Sequence, residues 1–452
     1  MKINWFVILL LSAGIWTSGR AQFRIDAQYR VRAQLMHGYK KPVPADTIPA
    51  FHVGQRTRIN FRYRGKGFRT MLSVQDVRIW GDEDMVNPTG VKGKTHNSLD
   101  IYEAWIRFDL GTYSSLKIGR QEMKYDDQRH ISWRNWWNHG QAYDAVTYSY
   151  KRPDIGWQWD ISASFNAKAE HLWGVSYSEG TDYFGKVNPI LTQNFIYLKK
   201  QFRPDAYASL LLIGAGYQNE QAPHVIYMTM TEGIHLHYNM TGKSKDGWFG
   251  RANFFIQNGK NIKGQSIRAH MITALAGYRM LDKRLAFNGG LEILSGNDAT
   301  NTDPAYRKID HTYNLLYGGR HPYYEGYLDW FVRPESAAGA GIRSLSFTMQ
   351  YAFSPADMFK FQYFQVAAAN NVVKKNRNGT VTLTANKGAL LARTFDWMYI
   401  RKFNKMTMMH AGFSYGIPSE TFQKMKGRTK GGHNYFAYVM LTFKPVLFAS
   451  GN

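Results

Sequence analysis

The 452-residue chain contains no cysteine, so neither disulfide staples nor thiolate chemistry can enter any account of it. Long apolar runs are missing too. After Ala21 no stretch could cross a bilayer as a helix, and the mean hydropathy is −0.43. Acidic residues are scarce, with 33 Asp and Glu against 57 Lys and Arg, a formal charge of +24. In a soluble protein such an excess points first to nucleic acid. No phosphate-binding Gly-Lys loop accompanies it. His235 and His237 fall on one strand face, but two ligands do not make a metal site. The acidic run Gly81-Asp82-Glu83-Asp84 suits an exposed loop better than calcium. Neither a cofactor nor a metal is expected.

What the chain has is alternation. Phe23, Ile25, Ala27, Tyr29, Val31, Ala33 and Leu35 are apolar, while every residue between them is polar. Strict period two over that length describes a strand with one dry and one wet face. Strands in soluble sandwiches are usually about 5–6 residues long. A tilted strand of ~9–11 residues or more is what crossing a bilayer within a barrel requires. His52 to Arg64 repeats the design, with Ile59, Phe61 and Tyr63 opposite Arg56, Arg58, Arg62 and Arg64. So do Trp157 to Phe165 and His433 to Lys444.

Ahead of these strands, a basic start, the apolar run Trp5 to Leu11 and Gly19-Arg20-Ala21 fit a secretory signal peptide over residues 1–21. Residues 22–452 then form one all-β domain, a transmembrane antiparallel β-barrel of the outer membrane. An exported chain does not meet nucleic acid, so the positive charge is assigned to other partners. Those are an anionic solute or polysaccharide, and the lipid and lipopolysaccharide of the outer membrane.

Short connections alternate with long ones, as in outer-membrane barrels. Eight tight turns, from Gly65-Lys66-Gly67 to Phe403-Asn404-Lys405, alternate with nine longer loops and give eighteen strands. Ile190 to Phe202 and Met228 to Met240 show the weakest alternation. The longest loop, Gly296 to about Gly341, is read as folding over or into the mouth, with a simple exposed lobe as the alternative. After Lys444 the chain is read as trailing away from the last strand.

Two groups of charges carry the functional reading. Arg24, Arg30, Arg32, Arg56, Arg58, Arg62, Arg78 and Arg107 are assigned to the wet faces of adjacent strands. A wall of them would lower the barrier to an anion in a lumen. The alternative is that they pair with Asp26, Asp76, Glu103 and Asp160 and merely fill space. The second group is Arg120, Glu122, Asp126, Asp127, Arg129 and Asp144, read as one mixed-charge cluster at the upper end of two strands. It forms either an ion-pair network that pins a loop or a charged gate. Its parity is awkward. Leu116 and Ile118 share a face with Arg120 and Glu122, so the strand must bulge or leave the membrane near Gly119.

The segment Gly119-Arg120-Gln121-Glu122, continuing to Tyr125-Asp126-Asp127-Gln128-Arg129, resembles the alginate-export family of outer-membrane barrels. Asp144, Gln75-Asp76-Val77-Arg78, Ser295-Gly296-Asn297-Asp298, and His321 with Gly326 and Asp329 extend the resemblance. Asn297 departs from it, standing where a second Gly-Asp pair is expected. The resemblance implies an eighteen-stranded, monomeric barrel whose arginine-rich conduit exports an acidic polysaccharide. The reading is therefore a non-enzymatic channel for anionic solutes. A small-anion porin is the near alternative, and an outer-membrane hydrolase the alternative of another class.

Overall fold

The computed structural model describes residues 22–81, 99–166, 190–219, 222–240, 246–319, 326–331, 334–375, 381–427 and 432–450. The expected signal peptide, Asp82 to Asp84 and His321 lie outside these residues.

The described chain is a closed antiparallel barrel of eighteen strands. It starts with β1 (Gln22–His37), β2 (Ala50–Gly65), β3 (Phe68–Ile79), β4 (Leu99–Asp109), β5 (Ser114–Gln121) and β6 (Tyr143–Arg152). Twelve more follow up and down, ending with Asn434–Phe443, which pairs with β1 and closes the ring. Closure leaves no edge, so the ladder satisfies the backbone polar groups that lipid cannot. Seven of the eight tight turns fall where the sequence places them, and most of the eighth, Gly242 to Asp246, lies outside the described residues. Even Ile190 to Phe202 and Met228 to Met240 contain strands, at Thr192–Arg203 and Ile226–Tyr238.

One end differs from expectation. The chain does not trail away after Lys444. Pro445, which has no N–H to donate, interrupts the ladder. Val446–Ala449 then resumes pairing with β1, Phe448 opposite Ile25 and Ala449 opposite Arg24.

The apolar sets face outward and stay exposed, as with Ile59, Leu72, Ile118, Ile161, Leu345 and Val439. The packed core lies inside the barrel, where two long loops meet the wall. Residues 122–142 enter the lumen, and residues of the 295–341 loop cover them. Trp330, Phe331 and Tyr313 of the second loop are fully buried. The folded-in alternative for the longest loop is thus the one observed. No described helix is long and apolar enough to cross a membrane. Pro304–Arg307 and Glu420–Met425 are short helices within the loops.

Candidate functional site

Cross-strand partners share a face of the sheet, so register decides which arginines point inward. Arg24 pairs with Arg62, Gln28 with Arg58, and Arg30 with Arg56. These share one parity with Arg32, and it is the inward one: Arg30, Arg32, Arg56 and Arg58 are all buried. Arg24 and Arg62 face the same way at the turn end of the wall, half exposed, and both pair with Asp26. Arg107 faces inward opposite Arg69 and stands 3.5 Å from Asp109.

Arg78 is a correction. It lies opposite Gln55, and Asp76 opposite Thr57, while Arg56 and Arg58 face Val77 and Gln75. Asp76 and Arg78 therefore stand on the outer face, joined by two hydrogen bonds of 2.8 Å. Strand β3 carries apolar residues on both faces, so its own alternation does not fix its parity.

The buried arginines do not look onto open space. A single segment, Asn135 to Asn138, lies against three of them. Arg30 donates to the carbonyl oxygens of Asn135 and Trp137, each at 2.7 Å, and to Asn138 Oδ1 at 2.9 Å. Arg32 donates to the Trp136 carbonyl at 2.9 Å and lies 4.4 Å from the Trp136 ring centroid. Arg56 donates to the Asn138 carbonyl at 3.2 Å and to Asn135 Oδ1 at 2.9 Å. Arg58 sits 3.4 Å over the Tyr102 ring, bonds Gln75 Oε1 at 2.6 Å and stands 3.5 Å from Glu122. Neither Arg30 nor Arg56 forms an ion pair among the described residues.

The mixed-charge motif is likewise taken apart. Arg120 and Asp144 are cross-strand partners on the outer face, bonded twice at 2.9 Å. The awkward parity is resolved there: Arg120 does share the outward face of Leu116 and Ile118, beyond the membrane-facing apolar residues. Gly119 takes φ +115°, and a Cβ there would run into the Ala104 carbonyl oxygen, so glycine is required. After Gln121 the chain turns into the lumen.

Glu122 accepts from Tyr102 at 2.7 Å. Asp126 and Gln128 then take left-handed φ of 49° and 66°, and the charged residues reach the opposite wall. Asp126 accepts from Tyr197 at 2.8 Å and Ser209 at 2.7 Å, and Asp127 from Asn253 at 2.9 Å. Arg129 and Glu292 form a buried pair at 3.0 Å. The six charges are thus not one cluster: Arg120 and Asp144 lie on the outer face, Glu122 stays beside Tyr102, and Asp126, Asp127 and Arg129 bridge the lumen. Burial raises the Asp126 carboxyl. Burial also pushes up on Asp127, but His235, Arg251, Arg129 and the Asn253 bond outweigh it and hold that group low. Burial lowers the His130 imidazole to about 3, and its ring nitrogen meets the Tyr313 hydroxyl at 2.6 Å.

The 295–341 loop locks this arrangement from above. Arg134 donates to the Tyr317 and Gly318 carbonyls at 3.1 and 2.9 Å. The Tyr327 ring lies 4.9 Å from Trp136, and Trp330 donates to the Gly38 carbonyl at 2.7 Å. Below the loop, toward the turn end, a cavity of about 210 Å³ is lined by Arg251, Arg279, Lys360, Asn288 and Glu292 among others. None of these three cations belongs to the arginine group read from the sequence, although alternation along its strand does set Arg251 on a wet face. Arg251 alternates with Asn253 and Gln257, and Lys360 with Gln362, on otherwise apolar strands, which is the signal that could have found them.

His235 and His237 do share a face, with ring centroids 6.0 Å apart, and His235 is bonded to Asn253 at 2.8 Å. No group of three metal-binding side chains occurs among the described residues. Gly412-Phe413-Ser414-Tyr415-Gly416 has nucleophile-elbow spacing, although the sequence was read as holding no such motif. It lies within the strand Thr407–Pro418, however, and makes no turn. Ser414 donates to Asp396, and Ser209 to Asp126, so neither hydroxyl is set on a histidine base.

Comparison with known proteins agrees with this architecture. Pseudomonas aeruginosa OccK9 (OpdG) is similar with a TM-score of 0.59 at 11% identity, over 94% of this chain and 98% of that one. P. aeruginosa OccK11 (OpdR) gives 0.57 at 11%, over 95% and 96%. P. aeruginosa OccK5 (OpdH) gives 0.55 at 13%, over 94% and 99%. At such identities the likeness is one of fold. A search of curated proteins found no match. The alginate export family model matches residues 23–165, which hold the inward arginines and the Gly119 to Arg129 motif. In sequence these residues match the alginate-export family, and the described chain as a whole has the eighteen-strand barrel of outer-membrane porins.

Proposed function

We propose that this protein is an outer-membrane channel for anionic solutes, with an acidic, alginate-like polysaccharide as the substrate class that the family match favours. The observation that carries the reading is the wall of Arg30, Arg32, Arg56 and Arg58 on two adjacent strands, all with inward side chains. Arg62 and Arg107 continue it toward the turn end, and Arg251, Arg279 and Lys360 line the cavity opposite. Cations along a narrow, low-dielectric conduit lower the barrier for an anion and raise it for a cation.

A small-anion porin is the second reading. The segment 122–142 occupies the lumen and leaves little room for a polymer while it stays there. P. aeruginosa OpdK, a similar barrel at 10% identity, is described with vanillate, a small carboxylate. Single-channel recording in asymmetric salt tests both. The expected result is anion preference at low salt that fades as salt screens the wall, over a Debye length of about 10 Å at 0.1 M. Block or passage of oligouronates, compared with a monouronate, separates polymer from small-anion transport. A cation-preferring channel would refute the proposal.

A further inference from the structure

We infer that the segment Asn135 to Asn138 is a self-ligand of the arginine wall, and that a carboxylate-bearing substrate opens the channel by displacing it. The inference rests on the anion-channel reading and adds its regulation.

Three guanidinium groups, Arg30, Arg32 and Arg56, donate to this one segment, chiefly to backbone carbonyl oxygens, and Arg30 and Arg56 form no ion pair among the described residues. Carbonyl oxygens satisfy the N–H groups but bring no negative charge. A carboxylate offers the same acceptor geometry, two oxygens to the planar fork, and supplies the missing charge. Charge-assisted bonds of that kind are roughly twice as strong as neutral ones. The wall is therefore better matched to a carboxylate than to its present occupant, and a ligand with that advantage shifts the equilibrium toward the displaced loop.

The way the loop is held fits such a device. At the wall it is attached through acceptors that a substrate can replace. At the far side Asp126, Asp127 and Arg129 fix it through carboxylates already in place. Two accept from Ser209 and Asn253 and one, Glu292, pairs with Arg129, so a substrate carboxylate gains nothing over the present partners there. The wall end can thus lift while the far end stays anchored. Trp136, between Arg32 and the Tyr327 and Tyr438 rings, moves with it.

A reversible cross-link tests this in the intact barrel. The chain has no cysteine, and a Cβ on Gly54 would stand 2.7 Å from Nδ2 and 3.9 Å from Cγ of Asn138. The Gly54→Cys, Asn138→Cys protein, oxidised, ties the segment to the wall. Current evoked by hexagalacturonate at fixed ionic strength should fall by at least roughly tenfold on oxidation and return on reduction. A neutral oligosaccharide of equal length should evoke none in either state. Arg30→Gln with Arg56→Gln gives a second measurement, free of the cross-link. Ligand-free conductance should rise and the hexagalacturonate response disappear, whereas an arginine wall that only conducts would lose conductance. Hexagalacturonate current that survives a verified cross-link in an anion-selective parent overturns the latch and leaves the channel reading intact. So does an equal response to the neutral oligosaccharide. A parent without anion preference overturns the channel reading, and the latch with it.

Discussion

Replacing Arg129 with Gln should loosen the lumen loop without unfolding the barrel. The Arg129 and Glu292 side chains are only 1% and 7% exposed, and their charged atoms stand 3.0 Å apart. Removing the guanidinium leaves the Glu292 carboxylate buried without that partner. Breaking a buried pair from one side typically costs about 3–5 kcal/mol, most of it the stranded charge. That cost falls on the contact between residues 122–142 and the strand Leu285–Leu294, because the interstrand ladder is untouched. Amide exchange should therefore speed up across the loop by two to three orders of magnitude, from ~1.4 kcal/mol per factor of ten. The strands and the heat-modified gel mobility should keep their parent values. Arg129→Gln combined with Glu292→Gln removes both charges and should recover most of the protection, as a double-mutant cycle would read it. Equal loosening in the single and double variants would show that the pair does not hold the loop.

Three further outcomes are expected. Arg62→Gln should lower anion-over-cation selectivity in single-channel recordings. Arg78→Gln, on the outer face, should leave it unchanged, and an equal effect of both would mean the assigned faces are wrong. Gly119→Ala puts a side chain at φ +115° against the Ala104 carbonyl. It should cost about 1–3 kcal/mol, read as a lower yield of folded, heat-modifiable barrel. Burial depresses His130 to about 3, so the unfolded loop binds its proton first as pH falls. His130 thus contributes loop stability in full above pH ~6.5 and loses it toward pH ~3, about 2 kcal/mol by pH 5. Protease protection of the loop should drop over that window in the parent and drop less in His130→Gln.

The barrel was legible because its determinants are local. Alternation along Phe23 to Leu35 names a strand, its two faces and its length, and turn chemistry at Gly65-Lys66-Gly67 ends it. Those features need no knowledge of a partner. Arg78 was misplaced because its face depends on register across that turn, and β3 has apolar residues on both sides. The double-facing step at Tyr102 and Glu103, both buried, is a bulge in the β3–β4 register that alternation cannot reveal. The charges of Asp126, Asp127 and Arg129 could be found but not placed, since left-handed turns at Asp126 and Gln128 accompany their passage across the lumen. Least legible was the segment that covers the arginine wall. Its ligands are backbone carbonyls, which every residue has, so Asn135 to Asn138 carries no compositional mark of the contact.

The seam at Val446–Ala449 bears on how this barrel is made. Phe23 donates its N–H to the Ser450 hydroxyl at 2.8 Å, and the Ser450 N–H returns to the Phe23 carbonyl, also at 2.8 Å. The partners are 427 residues apart, so nearly the whole chain must be translated and exported before the cylinder can shut. Until then the start of β1 is an open strand edge, able to pair with any other extended segment. Entropy of closing so long a loop grows only slowly with its length. The greater hazard is the waiting time with that edge uncovered. A chain shortened by those last few residues would keep the closing pair between β1 and Asn434–Phe443, yet leave the start of β1, from Arg24 to Asp26, as a permanently open edge.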